Sequence, residues 1–246
     1  MKAIIFAAGV GSRLKPLTDY CPKALIKVAG LPMLEHVINK LKMSGFDEIV
    51  INVHHLAKQI IDYLKDNNNF GITIHISDER QELLETGGGL QKALPLFTPN
   101  DESVLIHNVD ILSNCDLQGL MQYHKDYQAV ATLVVSSRKT QRYLLFNKEN
   151  RLCGWINKKT GDTKPEGFVY KEGEYAEYAY AGIEVVQPKI YKWLPEGKFS
   201  IIDFYLNHCN ELAIKAYIAN DLKLLDIGKP ETLIKAEQFV KQILKY

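Results

Sequence analysis

The sequence predicts an α/β fold, a mostly parallel sheet with helices on both faces. Three observations predict it. Short apolar runs alternate with helical stripes through the first half of the chain. The first run, Lys2–Ala8, is almost continuously apolar, as a strand covered on both faces must be. That run opens directly into a glycine turn, Gly9-Val10-Gly11-Ser12-Arg13.

The elements follow in order. After the first strand, Gly9–Pro22 reads as a long ordered loop, because Pro16 and Pro22 discourage a helix. Met33–Ser44 carries a helical stripe (Met33, Leu34, Val37, Ile38, Leu41) and stops at Gly45. Glu48–Val53 is a second strand, and Leu56, Ile60, Ile61 and Leu64 mark a second helix. Ile72–Ser77 and Ser103–Asn108 are further strands, with a short helix expected at Gly88–Leu96 between them. A helix over Leu117–Tyr127 and a strand over Ala129–Ser136 complete the alternation.

The rhythm then changes. Tyr143–Asn147 and Leu152–Asn157 predict a hairpin, and the polar stretch Lys158–Gly167 a loop. Glu177–Val186 is β in character, Ile201–Leu212 helical, and Ala213–Ala219 and Lys223–Ile227 strand-like. Pro230–Leu244 is a closing helix with proline in its first turn. No linker or tandem repeat divides the chain. A single domain over 1–246 is expected, with halves at 1–136 and 137–246 where the rhythm changes.

Composition excludes several classes. A net charge of +1 leaves no global field for nucleic acid or an acidic membrane. No apolar stretch approaches the length of a bilayer span. Cys21, Cys115, Cys153 and Cys209 are scattered, form no C-x-x-C pair and have no zinc-like spacing with histidine. They fit reduced thiols in a cytoplasmic protein, and the apolar N-terminus reads as a strand, not a leader. The sequence leaves oligomeric state open.

The first glycine loop carries the strongest chemistry. Glycines let backbone N–H groups approach phosphates, Arg13 offers a planar fork of donors, and Lys23 a compact point charge. The loop reads as a clamp for a nucleoside triphosphate. It is not the dinucleotide fingerprint, since Leu14 occupies the third glycine position. The plain alternative is a strand-end turn with solvated cations.

Gly9-x-Gly11-x-Arg13-Leu14-x-Pro16-Leu17-Thr18, followed by Pro22-Lys23-Ala24-Leu25-x-x-Val28, resembles the signature of sugar-1-phosphate nucleotidylyltransferases. The resemblance implies a Rossmann-like, mostly parallel mixed sheet flanked by helices, the glycosyltransferase-A-like nucleotidyltransferase fold. It implies transfer of a nucleotidyl group from a triphosphate to a sugar 1-phosphate with release of pyrophosphate, with Arg13 and Lys23 as catalytic residues. Ala7, Ala8, Gly9 and Gly11 are then expected along the nucleotide.

Later motifs extend the likeness. Leu84-Glu85-Thr86-Gly87-Gly88-Gly89 precedes a helix and exposes backbone donors at its positive end, or else forms a flexible turn. It is similar to the family's base-recognition run, which assigns Thr86, Gly87 and Gly88 to the nucleotide. The wording Glu85-Thr86-Gly87-Gly88-Gly89 looks most like small bacterial uridylyltransferases acting on N-acetylmuramate 1-phosphate. Mannose- or heptose-1-phosphate guanylyltransferases and a phosphocholine cytidylyltransferase remain alternatives, as does a non-catalytic nucleotide-sugar sensor.

Asp110 ends one apolar strand and Asp226 another, at the carboxyl edge where open α/β sheets bind ligands. Each is also a reasonable turn cap. Together they suit one Mg²⁺ shared with triphosphate oxygens, and the resemblance implies that role. Val109 stands where the family often has glycine. Tyr180-Ala181-Gly182-Ile183 resembles the family's strand against the hexose, so Asn108 and Gly182 are expected at the acceptor. Lys158, Lys159 and Lys164 are all possible holders of its phosphate. The pair His54-His55 reads as structural.

Overall fold

The computed structural model describes residues 1–243. In chain order its strands and helices are β1 (Lys2–Phe6), α1 (Leu17–Tyr20), β2 (Lys27–Val28), β3 (Leu31–Pro32), α2 (Met33–Met43), β4 (Glu48–Val53), α3 (Ala57–Asp66), β5 (Thr73–Asp78) and α4 (Glu85–Ala93). There follow β6 (Val104–Asn108), β7 (Ile111–Ser113), α5 (Leu117–Tyr127), β8 (Ala131–Ser136), β9 (Arg142–Phe146), β10 (Leu152–Asn157) and β11 (Thr163–Lys164). The chain ends with β12 (Ala176–Val186), α6 (Ile201–Asn207), β13 (Ile214–Ile218), β14 (Leu224–Asp226) and α7 (Pro230–Ile243). Leu244, expected in the last helix, lies outside the described residues.

The expected sheet is present. Its path is β11-β10-β9-β12-β6-β1-β4-β5, with β8 and β13 branching from β12. β1 pairs in parallel with β4 and β6, and β4 with β5. β12 joins β6 antiparallel and continues to β8 and β9, so the second half of the chain extends the sheet begun by the first.

Side-chain alternation assigns the two faces. Ala3 and Ile5 pack with Val37, Leu41, Ile60 and Leu120 from α2, α3 and α5. Ile4 and Ile106 pack on the other face with Leu90 of α4 and Phe204 of α6. A smaller core joins Leu14, Met33, Leu112, Ile227 and Val240, seating the first glycine loop against α7. Burial of these apolar side chains, at about 25 cal/mol per Å², is the main force holding the layers together.

Several bounds shift by a residue or more, and four departures have a tertiary reason. β1 stops at Phe6 instead of Ala8, because the Ala7 and Ala8 N–H groups donate to the side chain of Asn52 (2.6 and 3.1 Å) rather than to a strand. The Gly9–Pro22 loop holds a 3₁₀ turn at Ser12–Leu14 and the one-turn α1, which begins just after Pro16, where a missing N–H costs nothing. α6 ends at Asn207, five residues early, because Arg151 collects the carbonyls of Cys209 (3.1 Å) and Asn210 (2.8 Å) in the following turn. Within the polar stretch 158–167, Thr163–Lys164 pairs with Trp155 and Ile156 as an edge strand. No helix among the described residues is long and apolar enough to cross a membrane.

Candidate functional site

The carboxyl ends of β1, β4 and β6 open onto a cleft of about 350 Å³. Of the residues singled out in the sequence, Ala8, Gly9, Lys23, Thr86, Asn108 and Asp110 line it. A larger cavity of about 920 Å³ lies at the opposite strand ends, near Met1, Ser103 and Gln187. Among its lining residues there is no glycine, and its carboxylates, Asp101 and Glu102, precede β6 instead of standing at a carboxyl strand end, so the smaller cleft is the chemical candidate.

The first wall is built by β1, β4 and the loop after β1. Asn52, buried in β4, accepts from the Ala7 and Ala8 N–H groups and donates through Nδ2 to Glu79 Oε1 at 2.8 Å. Glu79 Oε2 accepts from the Leu84 N–H at 3.1 Å, and its carbonyl accepts from His54 Nδ1 at 2.7 Å. The loops after β1 and before α4 are thus tied through two buried polar side chains. Neither was among the sequence candidates. The available signal was a lone polar residue inside the apolar run Ile49-Val50-Ile51-Asn52-Val53.

Gly11 adopts φ +68°, and a Cβ there would sit 2.8 Å from Thr18 Cγ2 and 3.2 Å from Lys23 Cβ. The Thr18 hydroxyl donates to the Gly11 carbonyl at 3.0 Å, and His55 Nε2 donates to the Thr18 carbonyl at 2.9 Å. Both members of the histidine pair therefore brace backbone. Lys23 is nearly buried beneath this loop, and its ammonium is ion-paired with Asp110 Oδ2.

β7 and β14 bring the second carboxylate to the first. Asp226 pairs with Ile111, and the Ile227 N–H donates to the Asp110 carbonyl at 2.9 Å. Desolvation and the neighbouring Asp110 raise the Asp226 carboxyl, while Lys23, Arg13 and Arg138 pull it back. Arg13 reaches the same place by passing over Gly228: a Cβ at 228 would lie 2.6 Å from Arg13 Nη2 and 2.9 Å from Asp226 Oδ1. Residues more than two hundred positions apart thus meet at one point.

Two hard carboxylates brought together by the β7–β14 pairing fit a divalent cation. No third His, Cys, Asp or Glu joins them among the described residues. The remaining ligands of such an ion would come from substrate phosphates and water. Val109 packs into the core behind Asp110, and its N–H donates to the Phe6 carbonyl at 3.1 Å.

The glycine run sits differently from the sequence reading. Gly87, Gly88 and Gly89 lie inside the first turns of α4, not ahead of it. The Gly87 N–H is spent on the Phe199 carbonyl at 2.8 Å. A Cβ on Gly87 would stand 2.1 Å from the Phe199 ring, and one on Gly88 2.2 Å from the Gly197 carbonyl oxygen. The glycines let the segment before α6 close onto α4. Thr86 keeps its place in the cleft wall, its hydroxyl accepting from the Ile201 N–H at 3.0 Å. Gly87 and Gly88 stand behind that wall.

On the β12 side of the cleft, Gly182 (φ +73°) forms the bulge of β12 against Asn108, whose Nδ2 a Cβ would approach to 2.9 Å. Of the three candidate lysines, Lys158 is bound to Glu177 Oε1 (2.6 Å) and Tyr170 Oη (2.7 Å), and Lys164 to Asp203 Oδ1 (2.7 Å). Lys159 is exposed.

The chain is similar to several known proteins. A family model described as nucleotidyl transferase matches residues 2–243. The chain is 44% identical over 122 residues to an N-acetylmuramate alpha-1-phosphate uridylyltransferase of Neisseria meningitidis. That match covers 50% of this chain and 52% of the relative, about half the length of each. A protein of the same name from Caulobacter vibrioides is 29% identical over 244 residues, covering 96% of this chain and 95% of the relative. A crystal structure of UDP-glucose pyrophosphorylase complexed with UDP-glucose superposes with a TM-score of 0.76 at 17% identity, covering 98% of each chain.

Proposed function

The chain belongs to the nucleotidyl transferase family, and from that premise we propose that it joins UTP to N-acetylmuramate 1-phosphate, giving a UDP-sugar and pyrophosphate. The observation that carries the reading is the ion pair of Lys23 and Asp110 in the cleft wall together with the approach of Arg13 and Asp226 at Gly228, Asp226 ending the strand paired with the one after Asp110. The names of the Neisseria and Caulobacter relatives support the acceptor and the base.

In this reading the acceptor phosphate attacks the α-phosphorus in line and pyrophosphate leaves. No general base is needed, because a phosphate monoester is already largely dianionic near neutral pH. Catalysis comes from positioning and charge neutralisation. Ala8, Gly9 and Gly11 shape the backbone wall that receives the triphosphate, with Ala7 holding its start. Arg13 holds the leaving pyrophosphate. Lys23 exchanges its bond to Asp110 for the α-phosphate or the incoming phosphate. Asp110 and Asp226 would hold Mg²⁺, which supplies charge neutralisation between the phosphates. Thr86 borders the base, with Gly87 and Gly88 setting the position of its wall, and Asn108 and Gly182 border the sugar. Residues 1–136 would serve the nucleotide and 137–246 the sugar phosphate. Four free thiols suit a cytoplasmic setting.

Pyrophosphate release measured with UTP, GTP, CTP and ATP against N-acetylmuramate, N-acetylglucosamine and mannose 1-phosphates tests the proposal. The highest kcat/KM is expected for UTP with N-acetylmuramate 1-phosphate. Preference for GTP with mannose 1-phosphate would transfer the chain to the guanylyltransferases, and silence with every pair would refute catalysis.

A further inference from the structure

A third cation borders the site, supplied by the second half of the chain. β8 ends at Ser136, and exposed Arg138 follows two residues later, where its Nη2 donates to the Tyr180 carbonyl at 3.0 Å. Tyr180 precedes the β12 bulge at Gly182. A Cβ on Gly182 would sit 3.0 Å from Ile111 Cγ1, and Ile111 is the pairing partner of Asp226. A Cβ on Gly182 would also lie 2.9 Å from Nδ2 of Asn108, which lines the cleft, so the carbonyl that holds the guanidinium belongs to the strand segment bordering the cleft.

We propose that Arg138 binds an oxyanion of the acceptor: its phosphate or, on an acidic sugar, its carboxylate. The assignment rests on the transfer reading above. Holding the Tyr180 carbonyl uses one of five guanidinium donors, and no carboxylate among the described residues forms a salt bridge with Arg138. A planar fork with donors to spare matches a phosphate or carboxylate. The charge balance points the same way. Lys23, Arg13 and Arg138 exceed Asp110 and Asp226 by one positive charge and a bound Mg²⁺ would add two, whereas a triphosphate and a phosphate monoester together bring about six negative ones. In the transfer reading Arg13 holds pyrophosphate and Lys23 the α-phosphate or the incoming phosphate, so Arg138 is the guanidinium that the second half of the chain adds for the acceptor.

Arg138→Gln and Arg138→Lys test the assignment. Calorimetry would follow binding of N-acetylmuramate 1-phosphate and N-acetylglucosamine 1-phosphate to protein loaded with a non-reactive UTP analogue, beside steady-state KM values. In R138Q the acceptor Kd and KM should rise roughly ten- to hundred-fold while KM for UTP and the melting temperature stay unchanged. R138K should recover part of the loss. A loss confined to the N-acetylmuramate acceptor assigns the guanidinium to the carboxylate, and an equal loss on both assigns it to the phosphate. Acceptor binding equal to wild type, or a rise in KM for UTP instead, overturns the proposal. Wild-type protein that binds acceptor but releases no pyrophosphate would refute the transfer reading, while the binding comparison still judges Arg138.

Discussion

Asn52 Nδ2 donates to Glu79 Oε1 at 2.8 Å, and this buried bond couples the glycine loop after β1 to the loop that leads into α4. Both side chains are filled on their other sides by backbone N–H groups of Ala7, Ala8 and Leu84. The cleft walls are therefore positioned before any ligand arrives.

Asn52→Leu should strand two backbone donors and one carboxylate oxygen in a closed environment. The expected cost is about 3 kcal/mol of stability, read as a lower urea midpoint at unchanged slope. An unchanged midpoint would show that water replaces the amide there.

Arg13→Ala should leave the melting temperature nearly unchanged, since the guanidinium is exposed. Turnover should fall by a barrier of about 2.7–4 kcal/mol, the usual cost of losing a preorganised donor. Gly228→Ala should mimic it without touching Arg13, because the new Cβ claims the space 2.6 Å from Arg13 Nη2. Near-normal turnover of both variants would exclude a clamp.

Asp110→Asn and Asp226→Asn preserve size and remove charge. Each should raise the Mg²⁺ concentration needed for half-maximal turnover at least about ten-fold, as expected when a hard cation loses a carboxylate ligand. Asp110→Asn also frees Lys23 from its ion pair, so its metal-saturated kcat should differ from that of Asp226→Asn. Identical metal titrations for wild type and both variants would remove the pair from the site.

Glu184 gives a pH signature. It is wholly buried, bonded to Tyr180 Oη (2.8 Å) and Tyr205 Oη (3.1 Å), and burial pushes its carboxyl from 4.5 to about 7. A carboxyl raised on folding binds protons more tightly in the native state, so it destabilises the fold as pH rises from about 4.5 to 7. Urea titrations should therefore show the stability of wild type relative to Glu184→Gln falling across that window and level above it. A constant difference would mean that the carboxyl ionises at its ordinary pH.

Much of this protein was legible locally. β4, α5 and β10 have the bounds that their apolar periodicity marks, because a period of two or 3.6 records which face of one element is buried. Arg13 and Lys23 stand out within a single loop, and Asp110 at the end of a single strand. What no local pattern contains is which distant groups meet. The glycines of α4 are required by the Phe199 ring and the Gly197 carbonyl, over a hundred residues away. The end of α6 is drawn by Arg151, and the end of β1 by Asn52. Arg138 has no motif around it and acquires a neighbourhood only when β8 and β12 pair. Amphipathic order within an element is a property of consecutive residues, so the sequence alone determined the α/β layers and the glycine loop after β1. The identity of a cleft wall depends on contacts between elements, fixed by sheet register and close packing, and those were decided by the tertiary structure.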